Sequence, residues 1–306
     1  MSVYKKVTEG IIKRLEAGVT PWSAPWNATP RNIRGTGYRG INFFILSLEQ
    51  ALMGYSSPLW ATFHQIKEKG GYVKKGEHGT TVVFWKKVVK EVEPDFEEVV
   101  KEDGDLEVED LVEVEPEPET IEYVVARAYT VFNLDQTTLD WRDFVKNGNG
   151  NGNGFRPVER LEILAENYLT GEGIPLKEGV IPAYNQTLDY IIMPSEGAFE
   201  STEVYYTALF HEISHSTMAP KRLNRRLSGE DEELVAELSS AFIISEAGGI
   251  EIDMDEVERE SSSYIGSWIA KMKQNSRYIF QIASYGQKSA DYVLAYAKEG
   301  KIKKAA

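Results

Sequence analysis

Residues 147–154 read NGNGNGNG. Alternating Asn and Gly offer no apolar side chain to a core and leave the backbone close to its greatest freedom, so this tract is a tether rather than a helix or strand. A chain of 306 residues has length enough for two ordinary domains. The tract sets their boundary, with 1–146 before it and 155–306 after it.

The two parts differ in charge. Residues 1–90 hold 14 Lys/Arg against 5 Asp/Glu, whereas residues 91–122 hold 1 against 16. The net charge of −14 therefore hides a basic N-terminal third, which fits a polyanionic partner. The acidic run is of low complexity and is expected to be a long, solvated hairpin loop inserted between strands at 80–89 and 123–133. A sharper alternative has it folding over the basic surface and competing with nucleic acid. No cysteine is present, which excludes disulfides and thiolate metal sites, so any zinc must be held by His, Asp or Glu. No apolar run is long enough to span a bilayer, and charges interrupt every apolar stretch of the N-terminal MSVYKKVTEGIIKRLEAG, unlike a signal peptide. A cytoplasmic protein without a membrane partner is expected.

Apolar spacing predicts an N-terminal helix on Val3, Val7, Ile11, Ile12 and Leu15 with a stop at Gly18, a buried helix in INFFILSLEQALMGY and a short one in TFHQIKEKGG. After the tether, helical patterns cover 157–170, 202–218, 231–247, 257–273 and 276–298, with a short strand at Tyr190–Pro194. The fold class is α+β: an N-terminal α/β part with a small antiparallel sheet and a mostly helical C-terminal part.

Two of the four histidines fall in FHEISH. On a helix, His211 and His215 are one turn apart and face the same way, so two neutral imidazoles can grip one Zn²⁺. Glu212 sits beside them, placed to take a proton from an activated water. A catalytic site needs a third ligand and leaves the fourth position open. In DEELVAELSSAFI, Glu233 and Glu237 are spaced i, i+4 on one helix face. Glu233 is assigned as ligand and Glu237 as the outer carboxylate supporting a ligand imidazole, with the reverse assignment open; Glu232 is expected to point elsewhere. Tyr184, Arg222 and Arg225 are candidates for stabilising an oxyanion.

In residues 1–90, Trp22, Trp26, Tyr38, Phe43, Phe44, Tyr55, Trp60, Phe63, Tyr72, Phe84 and Trp85 are interleaved with Arg31, Arg34, Arg39, Lys67, Lys74, Lys75, Lys86 and Lys87. Bases stack on aromatic faces while cations follow phosphates, and only single strands expose base faces, so single-stranded DNA is the expected partner. Most of these aromatics are expected to pack in a core. The DNA-binding candidates are those in polar, glycine-rich loops: Arg34, Tyr38, Arg39 and Asn42 in RGTGYRGIN, and Lys74 and Lys75 in YVKKGEHG. His64 and His78 are isolated and read as surface or packing residues.

The string YYTALFHEISHSTMAPKRLNR followed by EELVAELSSAFI resembles the zincin-type metallopeptidase domain of ArdC-type antirestriction proteins of plasmids and phages. Upstream, GVTPWSAPWN, YRGINFFILSL, SPLWATFHQIKEKGGYVKKGEHGTTVVFW and YTVFNLDQT resemble that family's N-terminal single-stranded-DNA-binding domain. The resemblance implies one catalytic zinc, protection of mobile DNA from restriction, and a host protein as peptidase substrate. Family members often carry a Trp directly after the second motif histidine and a further His beyond it; this chain has Ser216 and Ala219, which favours a carboxylate as third ligand. The competing reading, from another class, is a non-enzymatic DNA-coating protein whose zinc only braces the C-terminal part.

Overall fold

The computed structural model describes residues 2–18, 30–92, 119–144, 157–199, 202–247 and 258–297. The tether, Trp22, Trp26 and acidic residues 93–118 lie outside them.

Ser2 caps the first helix, α1 (Val3–Glu16), by accepting from the Lys5 N–H, and the predicted apolar stripe Val7, Ile11, Ile12 and Leu15 is buried. A left-handed Gly18 (φ +81°) follows its end. β1 (Arg31–Asn32) leads to α2 (Gly40–Met53), whose Ile41, Phe43, Phe44, Ile45, Leu46 and Leu48 are all buried. β2 (Leu59–Thr62) runs into α3 (Phe63–Glu68), where Thr62 and Gln65 form a capping box. The long hairpin of β3 (Thr80–Val92) and β4 (Glu119–Asn133) contains both expected strands and extends them, at residues 91–92 and 119–122, into the run expected as loop. The sheet order is β1-β2-β4-β3, antiparallel except for the two-residue β1, which pairs parallel with β2.

Beyond the tether come α4 (Pro157–Glu172), then β5 (Leu176–Glu178), β6 (Ala183–Asn185) and β7 (Tyr190–Met193) in a sheet of order β5-β7-β6. Four helices follow: α5 (Thr202–Ser216), α6 (Gly229–Ala247), α7 (Glu258–Gln274) and α8 (Tyr278–Leu294). α6 and α8 approach closely at Gly286, where a Cβ would lie 3.1 Å from the Leu238 Cβ. No helix among the described residues is long and apolar enough to cross a membrane.

The regions flanking the tether share one hydrophobic core, in which α1 packs on α7 and α2 on α6 and α8. Phe43 meets Phe242 edge-to-face at 5.2 Å and Tyr4 meets Phe280 at 4.8 Å. Polar contacts reinforce the seam: Thr8 Oγ1 donates to the Ser276 carbonyl (2.7 Å), and the Gly40 N–H donates to Gln287 Oε1 (2.8 Å). Such burial is the dominant favourable term in folding, so the apposition of the two regions is part of the fold's stability.

Asn42 belongs to this architecture. Buried on α2, it donates from Nδ2 to the Val83 carbonyl (2.6 Å) and accepts the Val83 N–H on Oδ1 (2.7 Å), tying the helix to β3. A buried backbone group left without its partner costs about 1–3 kcal/mol. Asn42→Ala strands two of them and is expected to lower unfolding free energy by about 2–4 kcal/mol in urea denaturation.

Candidate metal centre

α5 stops at Ser216, two residues before the expected end, because the Ser216 and Thr217 hydroxyls turn back onto the carbonyls of Ile213 and Ser214 (both 2.6 Å). Side-chain hydroxyls of this kind compete with the helical ladder. α6 runs antiparallel along α5: contacts step from Ser240 on Thr207, to Glu237 on His211, to Glu232 on His215.

His211, His215 and Glu233 converge at this crossing. The two Nε2 atoms are 3.0 Å apart, His211 Nε2 is 3.3 Å from Glu233 Oε2, and His215 Nε2 is 3.5 Å from the same oxygen. Metal–ligand bonds of about 2.0–2.1 Å in a tetrahedron place ligand atoms roughly 3.3–3.4 Å apart. The triangle therefore fits one face of a tetrahedral divalent site. The imidazoles stand nearly perpendicular, at 80°. Glu233 remains 35 % exposed while the imidazoles are 17 % and 13 %, so the site opens on one side.

With both Nε2 atoms turned inward, each Nδ1 faces outward and needs its own acceptor. Glu237 Oε1 lies 3.6 Å from His211 Nδ1, the outer position expected for it. Glu232 Oε1 lies 3.6 Å from His215 Nδ1. The expectation that Glu232 points elsewhere is thus overturned: it backs the second imidazole. Glu232 is itself gripped by Arg225, whose Nε donates to Oε2 (2.8 Å) and whose Nη2 donates to Oε1.

The electrostatics favour a cation. Burial opposes protonation of both imidazoles, yet Glu237 and Glu233 raise His211, and Glu232 and Glu233 push His215 up to about 10. Hydrogen bonds from His211 and then His215 hold Glu233 well below the usual carboxylate range. Protons on these imidazoles balance the carboxylates, and loading a divalent ion releases them. Glu212, outside the triangle and 8 % exposed, is shifted the other way. Burial raises it, against the nearby imidazoles and a hydrogen bond from the Tyr184 backbone on β6. A carboxylate held above its ordinary range is a better proton acceptor.

Residues 1–132 match the family described as the N-terminal domain of anti-restriction factor ArdC, and residues 164–285 match the one described as zincin-like metallopeptidase. The metal-free crystal structure of the antirestriction protein ArdC from the R388 plasmid superposes with a TM-score of 0.71, at 32 % identity over 97 % of this chain and 98 % of that one. The chain belongs to the ArdC antirestriction family. The Mn(II)-bound form of R388 ArdC aligns with a TM-score of 0.68, over 98 % of this chain and 100 % of that one. Uncharacterized protein y4eC of Sinorhizobium fredii is 30 % identical over 96 % of this chain and 92 % of its own length. DNA primase TraC of Escherichia coli is 28 % identical over 97 % of this chain, which spans 27 % of the primase. The metallopeptidase-like region of this ArdC-family chain contains the complete His211–His215–Glu233 triangle.

Ser216 is fully buried on the Tyr168 hydroxyl (2.8 Å) and Ala219 is buried. Neither offers a ligand. The arginines proposed for an oxyanion are committed elsewhere: Arg225 to Glu232, and Arg222, wholly buried, to Asp189, the Ser216 carbonyl and Tyr184 Oη. Tyr184 in turn donates its hydroxyl to Asp189 (2.8 Å).

The six N-terminal candidates do not form one surface. Asn42 is internal, as described, and its assignment to DNA is corrected by that burial. Arg39 pairs with Glu246 (3.0 Å) and Asp291 across the seam. Tyr38 packs against the buried cluster of Leu46, Trp60, Val82 and Val131, and burial pushes its hydroxyl up to about 12. Arg34, Lys74 and Lys75 are exposed, with Lys74 Nζ donating to the Asp135 carbonyl (2.9 Å). Exposed aromatics of this part are Phe63 and Tyr72 and, on β3 and β4, Phe84, Trp85 and Tyr129. Tyr129 escaped sequence reading because it follows the acidic run, outside the basic third; strand alternation beside Arg127 was the available signal.

Proposed function

We propose that this chain is an antirestriction protein of a mobile element that binds single-stranded DNA through its N-terminal part and cleaves a peptide bond at a zinc centre in its C-terminal part. The observation carrying the hydrolytic half is the triangle of His211, His215 and Glu233 with the buried base Glu212 next in sequence to one ligand. Zinc is the favoured ion because two imidazoles and one carboxylate, leaving a fourth position open, are a catalytic zinc donor set. His211, His215 and Glu233 would hold a divalent ion, which would supply polarisation of a scissile carbonyl and acidification of water. Glu212 accepts the proton of the attacking water and returns it to the departing amine. Glu237 and Glu232 fix the imidazoles so that both Nε2 atoms stay aimed at one point.

The DNA-binding half is supported by the match to the ArdC N-terminal domain and by the basic charge of residues 1–90. A host protein is the proposed peptidase substrate. Elemental analysis of the purified protein is expected to find one zinc per chain, and His211→Ala/His215→Ala to remove it. Retention of stoichiometric zinc by that variant would refute the site. The logarithm of the affinity for an oligothymidine is expected to fall linearly with the logarithm of salt concentration, at a slope of about 0.7 per phosphate contact.

A further inference from the structure

The β3–β4 hairpin differs in composition from the rest of the chain. It has no Asp or Glu between Thr80 and Lys90 or between Tyr123 and Asn133, in a protein of net charge −14. The register sets Phe84 opposite Arg127, Val82 opposite Tyr129 and Lys86 opposite Val125. Directly opposed residues share a face of a sheet, as do alternate residues along a strand. Phe84, Lys86, Arg127 and Tyr129 therefore lie on one face. The two rings are solvated, Phe84 at 47 % and Tyr129 at 44 %, and they meet edge-to-face at 5.4 Å. Lys86 and Arg127 are exposed beside them, and among the described residues neither is engaged in an ion pair.

We propose that this face is a stacking platform for single-stranded DNA, with bases on Phe84 and Tyr129 and phosphates on Lys86 and Arg127. The assignment rests on the single-strand reading above and gives it a location. Two physical points carry it. Exposed aromatics give up solvent favourably to any flat apolar partner, but only a partner that is also anionic uses the flanking cations. A single strand presents both, whereas a duplex hides its base faces. Trp85 faces the other way, its ring edge-on to Phe280 at 6.4 Å, and serves as an internal control.

The test uses the full-length protein and a fluorescently labelled oligothymidine, read by anisotropy. Phe84→Leu/Tyr129→Leu keeps apolar bulk and removes stacking; it is expected to weaken binding on the order of tenfold or more, while Phe84→Tyr restores most of the affinity of Phe84→Leu. Lys86→Gln/Arg127→Gln is expected to make the salt slope shallower by about 1.4, two contacts at about 0.7 each. Trp85→Leu is expected to change neither. Zinc content and thermal midpoint, unchanged in all variants, exclude misfolding. If wild-type protein binds and Phe84→Leu/Tyr129→Leu binds equally well, the platform is refuted and the single-strand reading stands. If wild-type protein does not bind oligothymidine, both fall. An equal loss on duplex of the same length, or an equal loss in Trp85→Leu, also overturns the assignment.

Discussion

Glu212→Gln is expected to keep one zinc per chain and to lose peptide-bond cleavage by about 10²–10⁴-fold. The substitution preserves volume and leaves the His211–His215–Glu233 triangle untouched, because Glu212 is outside it. What it removes is the one group shaped to take a proton. Glu212 is buried, burial raises its pKa, and the Tyr184 backbone hydrogen bond holds its orientation. A positioned general base contributes roughly 10²–10⁴-fold, so the loss falls in kcat rather than in metal content. The same variant separates the two functional readings. Antirestriction lost together with cleavage assigns protection to proteolysis. Antirestriction kept, with zinc still bound, assigns it to DNA coating and makes the metal a brace. A variant that loses zinc would instead show that Glu212 is a ligand, contrary to the geometry.

The convergence of His211, His215 and Glu233 is legible in the sequence because its information is local. The i, i+4 spacing of His211 and His215, and again of Glu233 and Glu237, puts each pair on one helix face wherever the helices go. The order of the C-terminal helices follows from apolar periodicity in the same way, and all five expected helices are present. What could not be read was set by how those helices cross. Glu232 looked idle beside Glu233, a hundred degrees around the same helix. Yet α6 runs antiparallel to α5, and the second imidazole, one turn beyond the first, carries its Nδ1 toward that carboxylate. Arg225, expected as an oxyanion candidate, is likewise brought under Glu232 by the turn after α5. Two of the DNA candidates are engaged inside the fold for a related reason. A glycine-rich context marks loops, but the beginning of α2 is packed on both sides, so Arg39 is used at the seam with α6 and α8 and Asn42 on β3. The short strands β1, β2, β5 and β6 have too few residues to show alternation, and they exist through pairing with distant partners.

Arg225→Met is expected to cost about 3–5 kcal/mol of stability, because it leaves the Glu232 carboxylate buried without its cation. Both side chains are almost sealed from water, Arg225 at 3 % and Glu232 at 6 %. The guanidinium also donates to Thr217 Oγ1 (3.1 Å) and the Ser214 carbonyl (3.3 Å). Thr217 and Ser214 continue through Ser289 and Ser239 in a buried run of hydroxyls, each step 2.9 Å, that joins α5, α6 and α8. Set against a typical total of about 5–15 kcal/mol, this loss is a large fraction of the fold's stability. Stability and metal affinity can nonetheless be pulled apart. Replacing a buried ion pair by apolar residues of similar volume is often neutral, so Arg225→Met/Glu232→Met is expected to regain most of the lost stability in urea denaturation. It does not return an acceptor to His215 Nδ1. Loss of an outer partner of a ligand imidazole costs roughly 10–100-fold in affinity, so chelator competition is expected to show zinc affinity still lowered by that factor in the double variant. Arg225→Lys, which keeps the charge but not the two-point grip, is expected to lie between wild type and Arg225→Met in both measurements. Wild-type zinc affinity in the stable double variant would mean that Glu232 serves only the packing of α5 on α6, and that His215 finds its orientation from the helix alone.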